Sequence, residues 1–129
     1  MKFEHKELAN GRWMELPFVE QMANIGSEIE RTIKWRNKGN ENYKQHAFDR
    51  VLELLYLTID DKKNVSRLRE LTRVREALLD YFQFNNEYNS TDLCWQKYFY
   101  NSLMQHVLKS GMIQKLQGCD INGFGELVN

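Results

Sequence analysis

Apolar residues recur along this chain at intervals of three and four positions, the spacing that gathers them on one face of an α-helix. The first such stripe consists of Phe18, Met22, Ile25, Ile29 and Ile33. Pro17 suits the start of this helix, because its missing N–H would have no helical partner there. Gly39 suits the C-terminal stop. The pattern predicts a helix over residues 15–38.

Three further segments have the same period. Residues 41–60 are apolar over more than half of the circumference, which indicates the most buried helix. Residues 65–84 begin near Ser66, and residues 91–111 begin near Ser90 or Thr91, all suitable N-cap residues. No segment alternates with the period of a strand. The sequence predicts one all-α domain over residues 1–129, a four-helix up-down-up-down antiparallel bundle with an N-terminal arm (1–14) and a short irregular C-terminal tail (112–129).

One arginine departs from this pattern within "RLRELTRVREALLDYF", residues 67–82. Projected on a helical wheel, Arg75 falls among the apolar residues Leu68, Leu71, Leu78 and Phe82. A structural tether is the favoured interpretation, in which Arg75 forms a buried ion pair with a carboxylate of a neighbouring helix. The candidates are Glu53, Asp49 and Glu28. Two alternatives stay open. Arg75 lies at the floor of a site for an anionic small ligand, or the helical wheel places the apolar arc of this helix at the wrong angle.

The charge balance narrows the classes of partner. The chain has 18 basic and 18 acidic side chains and a formal net charge of zero, whereas general nucleic-acid and anionic-membrane binders usually carry a basic excess. No apolar run is long enough to span a membrane, and the N-terminal residues lack the apolar core of a signal peptide. Two cysteines, Cys94 and Cys119, without a Cys-x-x-Cys motif predict free thiols in a reducing compartment. The expected location is the cytoplasm.

Catalytic motifs are missing from the sequence. There is no Glu-x-x-His pair, no zinc-ligand spacing of His or Cys, no nucleophile elbow and no glycine-rich loop before a helix. The helix count resembles that of HEPN-type ribonucleases, which carry a histidine four to six residues after an arginine, but no such pair occurs here. We therefore expect no catalytic residue, no metal and no cofactor.

Two surfaces remain as candidate binding sites. Trp35, Arg31 and Glu28 share the side of the first helix that faces away from its apolar stripe, and Trp and Arg dominate interface hot spots. Cover by the N-terminal arm or the tail is an equally good explanation for Trp35, and Arg31 could stack on its ring.

The second candidate lies on the third helix, where Arg69 and Arg73 could contact phosphates. Glu76 and Asp80 are interleaved with them, so a solvated, salt-bridged face is favoured. Tyr98 is a further candidate surface aromatic.

The run "IGSEIERTIKWRNKG…AFDRVLELLYLTIDD…RLRELTRVREALLDYF…NEYNSTDLCWQKYFY" resembles a group of small, uncharacterised bacterial all-helical proteins over roughly residues 25–100. The resemblance implies a bacterial helical protein and attaches no activity or ligand. The predicted function is a non-enzymatic interaction module, an adaptor, regulator or complex subunit with a protein partner or self-association. The alternatives are a nucleic-acid-associated bundle and the anionic-ligand site at Arg75.

Overall fold

The computed structural model describes residues 11–107, with side chains over residues 11–101. This part of the chain contains four α-helices and no strand: α1 Phe18–Asn37, α2 Glu41–Asp60, α3 Leu68–Gln83 and α4 Asp92–Val107. The all-α prediction is confirmed. The up-down-up-down order stays a prediction, and the predicted tail lies outside the described residues.

The bounds of α2 agree with the prediction and α1 ends within one residue of it, but α1 begins at Phe18 and not at residue 15, because Trp13–Glu15 forms a separate 3-10 helix. The carbonyl of Pro17 begins the helical hydrogen-bond series of α1 by accepting from the N–H groups of Glu20 and Gln21, each at 3.0 Å. Gly39, at φ 77°, ends α1 in the left-handed conformation that a glycine adopts without strain. Asn40 then caps α2, because its side chain accepts a 3.0 Å bond from the N–H of Tyr43.

The start of α3 differs from the prediction, whereas the start of α4 agrees with it. Residues Lys62–Arg67 form a 3-10 helix, so α3 begins at Leu68 and Ser66 is not its cap. Asp61 caps the 3-10 helix instead, by accepting from the N–H of Lys63. At α4, Thr91 Oγ1 accepts from the N–H of Cys94 at 3.1 Å.

The core lies mainly between α1 and its two neighbours α2 and α4, and α3 packs against α2. At Gly26 the two helices α1 and α4 approach closely, since a Cβ there would lie 3.0 Å from the Cβ of Phe99. Trp13, placed by the sequence in an arm, is instead a core residue with 1% of its surface exposed. A short 3-10 helix, Trp13–Glu15, carries it there.

Side-chain bonds bring together the last turns of α1 and α3 and the first turns of α2 and α4. Lys44, in the first turn of α2, is buried and donates from Nζ to the carbonyl oxygen of Phe82 at the end of α3, at 3.0 Å. Arg36, in the last turn of α1, bonds to Asp92 in the first turn of α4. This part of the molecule is named the Arg36 end below.

Candidate functional site

Trp35 lies at the Arg36 end, in contact with α2. Its ring meets the ring of Tyr43 edge-on, with centroids 4.7 Å apart and an interplanar angle of 82°. The ammonium groups of Lys34 and Lys38 lie 5.8 and 5.2 Å from the Trp35 ring centroid, within cation–π range. The first turn of α2 therefore provides part of the cover for Trp35, and the ring keeps a partly exposed surface.

Arg31 and Glu28 are paired with each other. Arg31 Nη1 lies 3.0 and 2.9 Å from the two carboxylate oxygens of Glu28. Arg50 of α2 approaches the same carboxylate at 3.9 Å. Glu28 thus binds Arg31 on its own helix through hydrogen bonds and lies within ion-pair distance of Arg50 on α2. Arg31 is engaged there, and the cations found over Trp35 are the two lysines.

These residues form one continuous feature, named here the Trp35 face. It comprises four cationic side chains, one carboxylate and two aromatic rings: Arg31, Lys34, Lys38, Arg50, Glu28, Trp35 and Tyr43. The single carboxylate leaves the face with a positive excess, in a chain whose formal net charge is zero.

Arg75 does not lie in the seam of the bundle. Its side chain is exposed, and the buried residues of α3 are Leu71, Val74, Ala77, Leu78 and Phe82. This arc is centred near Val74 and Leu78, so Arg75 falls just beyond its edge, beside Leu68. Counting Leu68 as a core residue shifts the predicted apolar arc toward Arg75, but Leu68 is 39% exposed.

The buried ion pair expected at Arg75 is therefore wrong, because the side chain is exposed. The anionic-ligand site at Arg75 stays a prediction. Of its candidate partners, Glu28 pairs with Arg31 and Arg50. Asp49 is exposed and accepts a 2.9 Å bond from Gln45 Nε2. Glu53 is buried in α2, whereas Arg75 is exposed.

On α3 the arginines have the solvated character favoured above, since Arg69, Arg73 and Glu76 are exposed. Asp80 has a different role, because its carboxylate accepts from the N–H groups of Glu87 and Tyr88 at 2.8 and 3.1 Å. It fixes the loop between α3 and α4.

Tyr98 is not the surface aromatic that the sequence suggests. Its side chain is partly buried against the core, and its hydroxyl donates to the carboxylate of Glu70 on α3. Burial and the adjacent Glu70 carboxylate both raise the pKa of the Tyr98 phenol well above its ordinary value.

A buried polar cluster at the other end of α1 escaped the sequence analysis. Gln21 Nε2 donates to the carbonyl of Trp13 (3.1 Å) and to Asp61 (2.9 Å), and Gln21 Oε1 accepts from Asn64 Nδ2 (2.9 Å). Trp13 Nε1 and Asn64 Nδ2 also reach Thr58, at its hydroxyl and its carbonyl. These mutual bonds join the segment before α1 to the end of α2, so this cluster is a structural joint.

Asp61 is the charged member of this cluster. Burial raises its pKa, but the hydrogen bonds from Lys63 and Gln21 outweigh that effect and bring the pKa below its ordinary value of 3.8. The carboxylate is therefore held ionised within the cluster.

A second group missed by the sequence analysis joins three helices at the Arg36 end. Asp92 of α4 accepts from Arg36 of α1 and from the hydroxyl of Tyr81 on α3. Burial lowers the pKa of Arg36, but its bonds to Asp92 and Tyr81 outweigh this and raise it, so the guanidinium stays charged. The triad holds the end of α1, which carries Trp35, against α3 and α4.

The end of α3 and the loop that follows it form a pocket of about 490 Å³. The sequence does not predict this pocket, because its lining residues come partly from the helix and partly from the loop. Two of its lining residues are exposed aromatics, Phe84 (68% exposed) and Tyr88 (47%). Its three carboxylates belong to Glu76, Asp80 and Glu87. It is named the acidic aromatic pocket.

Among residues 11–101, no three His, Cys, Asp or Glu side chains are grouped in a way that could hold a metal ion. Within the described helices, none is both long and apolar enough to cross a bilayer.

Cys94 is disulfide-bonded, so the expected free thiol at this position is wrong. The other cysteine, Cys119, lies outside the described residues. Comparison with known proteins gives no match to a family model, a curated protein or a solved structure.

Proposed function

We propose that this protein is a non-enzymatic interaction module whose Trp35 face binds an acidic surface of a protein partner. The observation that carries the proposal is a partly exposed tryptophan held against Tyr43, with two ammonium groups within 6 Å of its ring centroid. Tryptophan and arginine contribute most to interface hot spots, and rigid aromatic side chains lose little conformational entropy on binding.

The face is built to keep its shape. Glu28 orients Arg31 through two hydrogen bonds, while the Arg36–Asp92–Tyr81 triad fixes the end of α1. Because the face is held before a partner arrives, little of the interaction energy is spent on ordering it. Its positive excess favours a partner rich in aspartate and glutamate.

A nucleic-acid partner is the alternative, with Arg69 and Arg73 as phosphate contacts. Both side chains are exposed, but Glu76 lies one turn from Arg73 and is exposed as well. That carboxylate would repel a polyanion, so the observations favour a protein partner.

The cytoplasm is the proposed location, in keeping with the resemblance to bacterial helical proteins. The disulfide at Cys94 removes the support that free thiols would have given this proposal. Fractionation of the source cells tests it.

The proposed function is tested by affinity capture from those cells, with quantitative mass spectrometry. Trp35→Ala and the double variant Lys34→Glu/Lys38→Glu should each deplete the same partners. Tyr100→Ala, which truncates another half-exposed aromatic, is the matched control and should retain them. Circular dichroism verifies that each variant is folded.

Two results would count against the proposal. One is an identical set of captured proteins for the wild type and both Trp35-face variants. The other is capture that disappears on nuclease treatment and on Arg69→Ala or Arg73→Ala, which would support the nucleic-acid alternative.

A further inference from the structure

The acidic aromatic pocket exposes apolar surface that nothing in the described part of the chain covers. Phe84 presents 68% of its surface and Tyr88 presents 47%. Asp80 and its backbone partners hold the loop that carries the rings, so this exposure belongs to a fixed loop. Adjacent exposed aromatic rings are characteristic of a contact surface.

The carboxylates of this pocket determine what it can accept. Asp80 is already engaged by two backbone N–H groups, whereas Glu76 and Glu87 are exposed beside the rings. An ammonium group placed there would meet a carboxylate and an aromatic face together, the two environments that favour a cation. The pocket therefore complements a surface that combines lysines with aromatic rings.

Such a surface exists on the same chain, at the same end of the bundle. Lys44, next to Tyr43 of the Trp35 face, bonds to the carbonyl of Phe82, two residues before Phe84. Arg36, next to Trp35, bonds to Asp92, which begins α4 directly after the pocket loop. The basic Trp35 face and the acidic aromatic pocket thus share the Arg36 end.

We propose that two copies of this chain associate through their Arg36 ends, with the Trp35 face of each copy seated on the acidic aromatic pocket of the other. In a two-fold symmetric dimer, each contact between a residue of one copy and a residue of the other occurs a second time with the copies exchanged. Lys34 and Lys38 of one copy then meet Glu76 and Glu87 of its partner, and the exposed rings of Phe84 and Tyr88 are covered. The zero net charge of the chain adds little long-range repulsion between copies.

This inference rests on the proposed function, because it names a second copy as the partner of the Trp35 face. The complementary surface is present on the chain itself, which favours a second copy over a basic segment of another protein. Contacts between exposed charges are screened by salt. The association should therefore weaken as the ionic strength rises.

Sedimentation equilibrium of the full chain tests the proposal by exchanging charges. The face variant is Lys34→Glu/Lys38→Glu, and the pocket variant is Glu76→Lys/Glu87→Lys. Each variant alone places like charges opposite each other, so the association constant of its homodimer should fall by about ten-fold or more. An equimolar mixture of the two variants restores opposite charges at both contacts, so a heterodimer should form with an affinity near that of the wild type.

One charge control and two further perturbations separate this interface from general effects of charge. Glu15→Lys/Lys62→Glu exchanges two exposed charges near the other end of α2 and should dimerise like the wild type. Phe84→Ser removes an exposed ring without touching the core and should weaken association. Raising NaCl from about 50 mM to about 500 mM should weaken the wild-type dimer.

A wild-type chain that stays monomeric at millimolar concentration overturns the proposal, as does a dimer that persists in both charge variants. Loss of the dimer in the face variant alone, or a mixture that fails to restore it, also overturns it. The proposed function has its own refuting result, which is an unchanged set of captured proteins when Trp35 is replaced. A monomeric chain that still captures another protein through Trp35 therefore refutes only the dimer.

Discussion

Replacing Gln21 by leucine removes the centre of the polar cluster that joins α1 to the end of α2. Gln21 is fully buried, and leucine fills a similar volume, so the change deletes hydrogen bonds more than it opens a cavity. Three groups lose a partner: the carbonyl of Trp13, the carboxylate of Asp61 and the side-chain amide of Asn64.

The magnitude follows from what each group retains. The Trp13 carbonyl keeps the N–H of Leu16, Asp61 keeps Lys63, and the Asn64 amide keeps the carbonyl of Thr58. A buried polar group deprived of a partner costs about 1–3 kcal/mol, and the remaining bonds place each loss near the lower limit. The free energy of unfolding should fall by about 3 kcal/mol, a large part of the roughly 5–15 kcal/mol typical of a whole domain.

Urea unfolding, followed by circular dichroism at 222 nm, measures this difference. The matched control is Gln45→Leu, which removes an exposed bond to Asp49 on α2 and should change the stability by less than about 0.5 kcal/mol. A loss below about 1 kcal/mol for Gln21→Leu, or equal losses in the two variants, would refute the view that the cluster is a structural joint.

Other variants test other parts of the structure. Arg36→Ala removes a charge-assisted bond between helices and should lower the free energy of unfolding by about 1–2 kcal/mol. Arg75→Ala, at an exposed position, should change it by less than about 0.5 kcal/mol. Equal losses for the two variants in urea unfolding would show that Arg75 has a structural role. The Tyr98 phenol, whose pKa is raised by burial and by Glu70, should be missing from the ordinary tyrosine transition in an alkaline titration at 295 nm, and Tyr98→Phe should leave the size of that transition unchanged. A transition that shrinks by one tyrosine in the variant would contradict this. For Asp61 the folded-state pKa lies below 3.8, so its ionised form stabilises the fold above that pH and the contribution disappears as the pH falls through the lowered value. Asp61→Asn should therefore be less stable than the wild type at about pH 7, and the difference should shrink at about pH 3; a difference that does not depend on pH would contradict the assignment.

The sequence predicts the helices well because their evidence is local. The predicted second helix has the bounds found for α2, Glu41–Asp60, since its apolar arc is broad and Asn40 supplies a cap directly before it. The third helix was predicted to begin at residue 65, whereas α3 begins at Leu68. The apolar positions Val65 and Leu68 fit the helical period but are exposed, so periodicity could not reveal the 3-10 turn.

The placement of individual side chains was harder to predict, because it depends on distant partners. Whether Arg75 is buried depends on a small rotation of α3 that the pattern alone does not determine. The cluster around Gln21 joins residues about forty positions apart in the chain, and no local spacing indicates such a contact. The unusual position of Trp35, by contrast, follows from the sequence alone, since a tryptophan opposite an apolar stripe is visible on a helical wheel.

The bond between Lys44 and the end of α3 makes this amine a chemical reporter. Acylating reagents require a free, deprotonated amine, whereas Lys44 is buried and donates to the carbonyl of Phe82. Its labelling should therefore await a local opening that separates α2 from α3, while exposed Lys62 reacts at once. The ratio of the two labelling rates, read by peptide mass spectrometry, would give the fraction of time for which the Arg36 end is open.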